Sequence, residues 1–397
     1  MNKQEYMDCE DKALLHTYNR FPLVLDHGEG VYLYDTDGKK YLDFAAGIAV
    51  EALGYSNEAY KQALKDQIDK ITHTSNLYYN VPIMEAAEKF LKVSKMDRVF
   101  FTNSGAEAIE GAIKAAKKYA YTRDGHADHE IIAMNHSFHG RTLGALSVTG
   151  NAHYREPFEP LCGGVKFADF NDIESVKAQV TEKTCAIIFE TVQGEGGIYP
   201  AEESFMKEIS ALCKEKDILL ILDEIQCGMG RTGEMFAWQH YGIKPDIVSM
   251  AKALGGGMPI GAICATAEVA KAFTPGSHGT TFGGHPVCCA AALAEVNELL
   301  DRDLAGNAAK IGAYFMEQLK TLPHVKEVRG QGLLVGVEFD DTISGVDVKH
   351  ECLHRHLLIT AIGAHIIRMI PPLIINKEDC DKAVAIIREA VEALERV

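Results

Sequence analysis

No apolar run in the 397-residue chain approaches the roughly 18 residues that a membrane-spanning helix needs, so a helical membrane protein is not expected. Nor is there a dense Lys/Arg block: 40 basic residues stand against 56 acidic ones, for a formal net charge of -16. Such a surface repels phosphate backbones, which excludes nucleic acid as an expected partner. The ten cysteines include no C-x-x-C pair. They read as small buried hydrophobes of a reducing compartment rather than as disulfides or a zinc site. Cys227 has no histidine at a revealing spacing, so its expected role is packing. The opening residues MNKQEYMDCEDKALL mix acids with bases and lack an apolar core. Neither a signal peptide nor an Arg-rich transit peptide is expected, and a cytoplasmic location is. Internal repeats, low-complexity tracts and long linkers are also missing.

What is present is an ordinary soluble composition, 47% apolar and 24% charged, in a chain long enough for about two or three domains. After a short leading helix, residues 31–34 and 40–44 flank the turn Asp35-Thr36-Asp37-Gly38-Lys39 and read as a hairpin. Segments 57–69 and 83–93 have helical periodicity, with the polar, tyrosine-rich loop SNLYYN at 75–80 between them. From residue 99 a strand-loop-helix pattern repeats: 99–101 into 106–121, 131–133 into 135–141, and 186–189 into 190–197. The apolar runs 218–222 and 247–250 add two strands of the kind covered on both faces. The pattern predicts an α/β fold, a three-layer α/β/α domain over 60–284 with a mostly parallel sheet. Residues 1–59 and 285–397 would form a smaller α+β domain, with helices at 287–300, 304–319 and 377–396 and a strand at 332–339.

Ligands of parallel sheets gather beyond the carboxyl ends of the strands. Run 218–222 ends at Asp223-Glu224, and run 247–250 ends just before Lys252, which Gly255, Gly256 and Gly257 follow. A carboxylate and a lysine on one rim suit a carbonyl-bearing cofactor that the amine can hold covalently. The turn Asn103-Ser104-Gly105-Ala106 joins a strand to a helix whose free amides could hold a phosphate, although an ordinary Ser-capped turn looks the same. Within Ser137-Phe138-His139-Gly140-Arg141, Phe138 could stack on a planar ring and Arg141 could grip a carboxylate. A core aromatic and a solvated arginine are the plainer alternative. Glu190 and Glu195 flank flexible glycine, but no histidine near them supports a metal. The hydroxyl-rich loop at 278–284 could bind an anion or simply turn, and Arg368 could bind one or snorkel from a buried stem. Together the strand ends specify pyridoxal 5'-phosphate. Aspartate can keep the pyridine nitrogen protonated so that the ring withdraws electrons, while lysine holds the cofactor and shuttles a proton.

At these residues the chain resembles the class III, ornithine-type aminotransferases of pyridoxal-phosphate fold type I. The resemblance runs from TYNRFPLVL at Thr17 through SNLYY at Ser75, NSGAEA at Asn103, SFHGRT at Ser137 and ETVQGEGG at Glu190. It continues through LDEIQCGMGRTG at Leu222, AKALGGGMPIGA at Ala251 and GTTFGG at Gly279 to RMIPPL at Arg368. It implies that Lys252 holds the cofactor, Asp223 faces the pyridine nitrogen, Gln226 approaches the ring hydroxyl and Phe138 stacks on the ring. Gly105 and Ala106 would give amides to the phosphate, and Thr281 would reach it from the other subunit of a homodimer whose active sites lie at the interface. Arg141 would bind the far carboxylate of the substrate, with Thr280 and Tyr18 nearby, and Arg368 the α-carboxylate of glutamate or 2-oxoglutarate. TYNRFP and SNLYY point to transfer of the δ-amino group of N2-acetylornithine to 2-oxoglutarate. Ornithine, succinylornithine, succinyldiaminopimelate and 4-aminobutyrate are the alternative donors. Intact Lys252 and Asp223 argue against a non-catalytic binding protein.

Glu195 belongs with this set for a physical reason. When a primary amine reacts, no carboxylate sits on the reacting carbon, and a bare Arg368 in a dry pocket would be costly. A swinging Glu195 would mask it and yield to the α-carboxylate of glutamate, so that one site serves both half-reactions. The chain departs from the resemblance at Glu51 and Tyr55, where relatives usually carry Asn and His, and at His285, which replaces Asn. Departures there would alter substrate entry or the dimer seam rather than the cofactor positions.

Overall fold

The computed structural model describes residues 1–395; Arg396, where the predicted terminal helix ends, and Val397 lie outside the described residues. At the centre is a seven-stranded sheet. Its strands are β1 (Arg98–Thr102), β2 (Glu130–Met134), β3 (Val165–Ala168), β4 (Thr184–Glu190), β5 (Leu219–Asp223), β6 (Ile247–Met250) and β7 (Gly261–Ala265), in the spatial order β1-β7-β6-β5-β4-β2-β3. From β6 to β3 all neighbours pair parallel. β7 runs antiparallel to both β6 and β1. The carboxyl ends of β1, β4, β5 and β6 therefore meet at one edge, with the start of β7 beside them. Register sets Asp223 opposite Glu190 on one side and Ser249 on the other, a polar row at the end of apolar strands.

β4 and β5 are buried along their whole length, as strands covered on both faces must be. Alternation divides their side chains between two cores. Ile187, Phe189, Leu220 and Leu222 point to one, where helix Glu203–Lys216 buries Phe205, Met206 and Ile209. Ala186, Ile188, Leu219 and Ile221 point to the other, where helix Gly105–Asp124 buries Ala108, Ile109, Ala112 and Ala116. The result is the three-layer α/β/α arrangement.

Two strands of this sheet escape the sequence pattern: β3, VKFA, carries a lysine, and β7, GAICA, consists mostly of small residues. Segment 135–141 is a loop, and 190–197 is the end of β4 followed by a turn that holds the two-residue strand Val192–Gln193; the helices that follow are Leu143–Ser147 and Glu203–Lys216. Left-handed backbone at His136 (φ 63°), Gly140 (φ 145°) and Gly197 (φ 120°) cannot continue a helix.

Strands Val325–Gln331, Leu334–Phe339, Ile366–Met369 and Thr360–Ile362 form an antiparallel sheet that carries Arg368. Near the N-terminus, Leu25–Glu29, Tyr32–Asp35 and Lys40–Asp43 form a second sheet, joined in parallel by Leu357–Leu358. Helix Pro286–Asp301 packs against helices Glu58–Ile68 and Val81–Ser94. No helix among the described residues is long and apolar enough to cross a membrane.

Candidate active site

A cavity of about 430 Å³ opens at the carboxyl edge of the sheet. Lys252 enters it two residues after β6 ends, from a left-handed backbone at φ 50° that starts a single 3-10 turn. A non-glycine residue held there costs of order 1 kcal/mol, the kind of strain that functional positions retain. Burial, aided by Arg368, keeps the Lys252 ammonium below the usual lysine range, although Glu195 and Asp223 pull the other way.

Asp223 ends β5 and also lines the cavity. Its Oδ2 lies 2.7 Å from His139 Nδ1, and its Oδ1 accepts from Ile225 N at 2.9 Å and Ser249 Oγ at 3.4 Å. Burial works to lower the His139 pKa, but contact with Asp223 outweighs it and the net direction is up. Glu190, beside Asp223 in the sheet, accepts from Phe138 N at 3.1 Å and Gly194 N at 3.2 Å. It thereby ties two site loops to the strand end, and burial pushes its carboxyl up to about 7. Glu224 turns away from the cavity, accepting from Ala237 N at 2.8 Å, Trp238 N at 2.9 Å and Thr191 Oγ1 at 3.0 Å.

In the cavity wall Ser104 caps helix Gly105–Asp124, its Oγ accepting from Glu107 N at 3.2 Å, and Gly105 and Ala106 line the wall beside it. A Cβ at Gly105 would stand 3.0 Å from Ile225 Cδ1, a tight contact that the Ile225 side chain would have to relieve. Phe138 lines the same cavity, and the exposed Arg141 spreads its guanidinium 3.9 Å from the Tyr154 ring centre and 5.3 Å from that of Phe138. Glu195 reaches in from its loop and accepts from Arg368 Nη1 at 2.5 Å, while Arg368 Nε donates to Thr360 Oγ1 at 3.0 Å. Burial alone would raise the Glu195 pKa; Arg368, with Lys252 adding to it, lowers it overall.

The fold thus gathers Gly105, Ala106, Phe138, Arg141, Glu195, Asp223, Gln226 and Lys252 around one cavity and attaches Arg368 through Glu195. Tyr18, Thr280 and Thr281 do not line it. Tyr18 is 73% exposed. Thr280 Oγ1 accepts from Asn103 Nδ2 at 3.1 Å behind the helix start, and Thr281 borders a separate crevice with Asn76 and His285. His139 and Glu190 are additions to the expected set. The visible signal for His139 is its position inside SFHGRT, but its partner Asp223 is 84 positions away in the chain.

These donors fit pyridoxal phosphate. A helix start with free amides, a held carboxylate, an aromatic ring and a buried amine all line the one cavity. Gln226 Oε1, buried and without a hydrogen-bond partner, is the acceptor that a ring hydroxyl would satisfy.

The aminotransferase class-III family profile matches residues 14–391. An acetylornithine aminotransferase of Methanocaldococcus jannaschii is 45% identical, covering 100% of both chains. Another, of Clostridium acetobutylicum, is 46% identical over 96% of this chain and 99% of its own. Among solved structures, the ornithine aminotransferase of Toxoplasma gondii ME49 superimposes with a TM-score of 0.96 at 32% identity, covering 100% of this chain and 96% of that one. With its Lys252–Asp223 cavity and full-length likeness, the chain belongs to the class-III aminotransferases, a family that depends on pyridoxal phosphate.

Proposed function

We propose that the enzyme transfers the δ-amino group of N2-acetylornithine to 2-oxoglutarate, giving N-acetylglutamate 5-semialdehyde and glutamate, and that it works as a cytoplasmic homodimer. The observation that carries this reading is Arg368 covered by Glu195, which lines the cavity with the Lys252 amine, together with a second arginine, Arg141, in the same lining over the Tyr154 ring. Two carboxylate grips, one of them masked, suit a donor with a distant carboxylate and a primary amine, followed by a dicarboxylate acceptor. The full-length acetylornithine aminotransferase relatives support the same donor.

When bound, pyridoxal phosphate supplies a carbonyl that exchanges amines and a ring that takes up the electron pair left by a departing proton. Asp223, oriented by His139 and the Ile225 amide, would face the ring nitrogen with its carboxylate. Phe138 would cover one ring face, and Gln226 Oε1 would accept from the ring hydroxyl. The amides of Gly105 and Ala106, at the positive end of their helix, would hold the phosphate, with Thr281 approaching the partner's phosphate across the dimer. Lys252 Nζ, its pKa lowered by burial, is suited to take a proton from the amino carbon and return it to a neighbouring atom. Arg141 would hold the far carboxylate of the donor through two parallel N–H bonds, with Tyr18 and Thr280 nearby. Departure of Glu195 would free Arg368 for the α-carboxylate of the acceptor. The large domain of this reading spans 60–284, with 1–59 and 285–397 forming the small one.

The test is single-turnover reaction of the holoenzyme with N-acetylornithine, ornithine, succinylornithine and 4-aminobutyrate, followed by cofactor absorbance. N-acetylornithine should react fastest. Faster turnover of any other donor would overturn the substrate assignment and leave the family intact.

A further inference from the structure

The long helix that begins at Gly105 ends in a segment unrelated to the cavity, Asp124-Gly125-His126-Ala127-Asp128-His129. One donor atom from each of Asp124, His126 and His129 lies within 4.8 Å of the other two. The two imidazoles stack with centres 4.6 Å apart and planes 25° apart, so the exposed His126 ring must turn for both nitrogens to point at one ion. His129 is the informative member. Its side chain is 2% exposed, and its buried Nε2 has no hydrogen-bond partner. That nitrogen stands 3.7 Å from Asp124 Oδ2, too far for a hydrogen bond. Two donors bound to one zinc-like ion sit about 3.4 Å apart, so the observed gap needs only a small adjustment to hold a metal.

The surroundings favour a cation. The last turn of a helix carries partial negative charge on its unpaired carbonyls, and Gly125, at φ 76°, ends the helix so that His126 follows directly on it and His129 lies within four residues of it. Arg123 grips Asp124 through Nε–Oδ1 at 2.6 Å and Nη2–Oδ2 at 2.7 Å. A carboxylate retains lone pairs beyond such a fork, and metal-bound carboxylates are commonly held by an outer hydrogen-bond partner. The charge of Arg123 is itself offset by Asp217 Oδ2, 2.7 Å from Nη1.

We propose that Asp124, His126 and His129 bind one divalent transition-metal ion of the Zn²⁺, Co²⁺ or Ni²⁺ type, with water completing its coordination. Two imidazoles and one carboxylate select such ions over Mg²⁺ and Ca²⁺, which prefer all-oxygen sites. The intervening helix spans about 30 Å, so the site is separate from the cavity at Lys252 and serves to fasten the helix end.

Metal-stripped holoenzyme titrated calorimetrically with ZnCl₂, and with Co²⁺ followed by visible absorption, should take up one equivalent. The exposed positions allow substitutions that spare the core: His126→Ala and Asp124→Asn should each weaken binding at least about tenfold. Transaminase turnover should stay unchanged in both. No uptake by the wild type, or an undiminished equivalent in both variants, would overturn the site. Turnover lost together with the metal would overturn its separation from the active site.

Discussion

His139 Nδ1 lies 2.7 Å from Asp223 Oδ2, and neither side chain is more than 3% exposed. A carboxylate so enclosed keeps its orientation only while its donors remain, and His139 is the closest of the three and the one at Oδ2, since Ile225 and Ser249 both donate to Oδ1. His139→Ala should lower turnover roughly 30-fold, the value of about 2 kcal/mol for a lost hydrogen bond to a charged group. His139→Asn, which can still donate, should recover part of the loss. A positioning role also requires the pH profile of turnover and the cofactor absorbance to move in the alanine variant. Wild-type values for both would show that Asp223 needs no such support.

Glu195 covers Arg368 only while no substrate carboxylate competes for it. Glu195→Ala should therefore slow the half-reaction with N-acetylornithine about tenfold and leave the half-reaction with glutamate much less affected. Rapid-mixing measurements of the two halves separate the effects. Equal losses in both would remove the switch.

Gln226 approaches the cavity across a gap that exists because residue 194 is glycine: a Cβ there would lie 1.9 Å from Gln226 Oε1. The obstructed atom is the tip of a flexible side chain, so Gly194→Ala should cost little stability while driving the amide off its position. The expected result is a Tm within about 3 °C of the wild type together with weaker cofactor retention and a shifted cofactor spectrum. An unchanged spectrum would remove Gln226 from the cofactor set.

Under the glycine turn after Lys252 lie two more carboxyl groups. A Cβ on Gly256 would meet Glu295 Oε2 at 2.2 Å, and one on Gly257 would meet Glu51 Oε1 at 2.8 Å. Both Glu295 oxygens are buried without a partner. Burial, then the neighbouring Asp43, pushes Glu51 up to about 7; burial, then Glu51, pushes Glu295 well above its ordinary value. Folded chains thus keep protons that unfolded chains lose near pH 4.5. The stability contributed by these protons is full below that pH and disappears as pH rises through the folded-state values. The Tm should fall between pH 5 and pH 8, and Glu51→Gln or Glu295→Gln should raise it by about 3 °C at pH 8 while changing it little at pH 5. Variants that track the wild type at every pH would contradict this assignment.

Much of the site was legible before any fold was known, because strand ends are local events. An apolar run that stops at Asp223 and another that stops before Lys252 announce both the strands and the rim where their charges emerge. Ser104 before Gly105 likewise marks a helix start, and the observed helix begins there. Local pattern was misleading where glycine and left-handed residues replaced periodicity, as in 135–141 and 190–197, and it was silent where a strand was short and small, as in β7.

By itself, then, the amino-acid sequence determined the alternating α/β architecture, the identity of the cofactor-bearing rim and, through its long motifs, the class-III resemblance. Tertiary structure alone decided which residues touch. It inserted β7 antiparallel between β1 and β6, brought His139 to Asp223 and joined Arg368 to Glu195 across 173 positions. Hydrophobic periodicity encodes which way a side chain faces within its own element. Contacts between distant elements depend on strand order and packing, which no local spacing records.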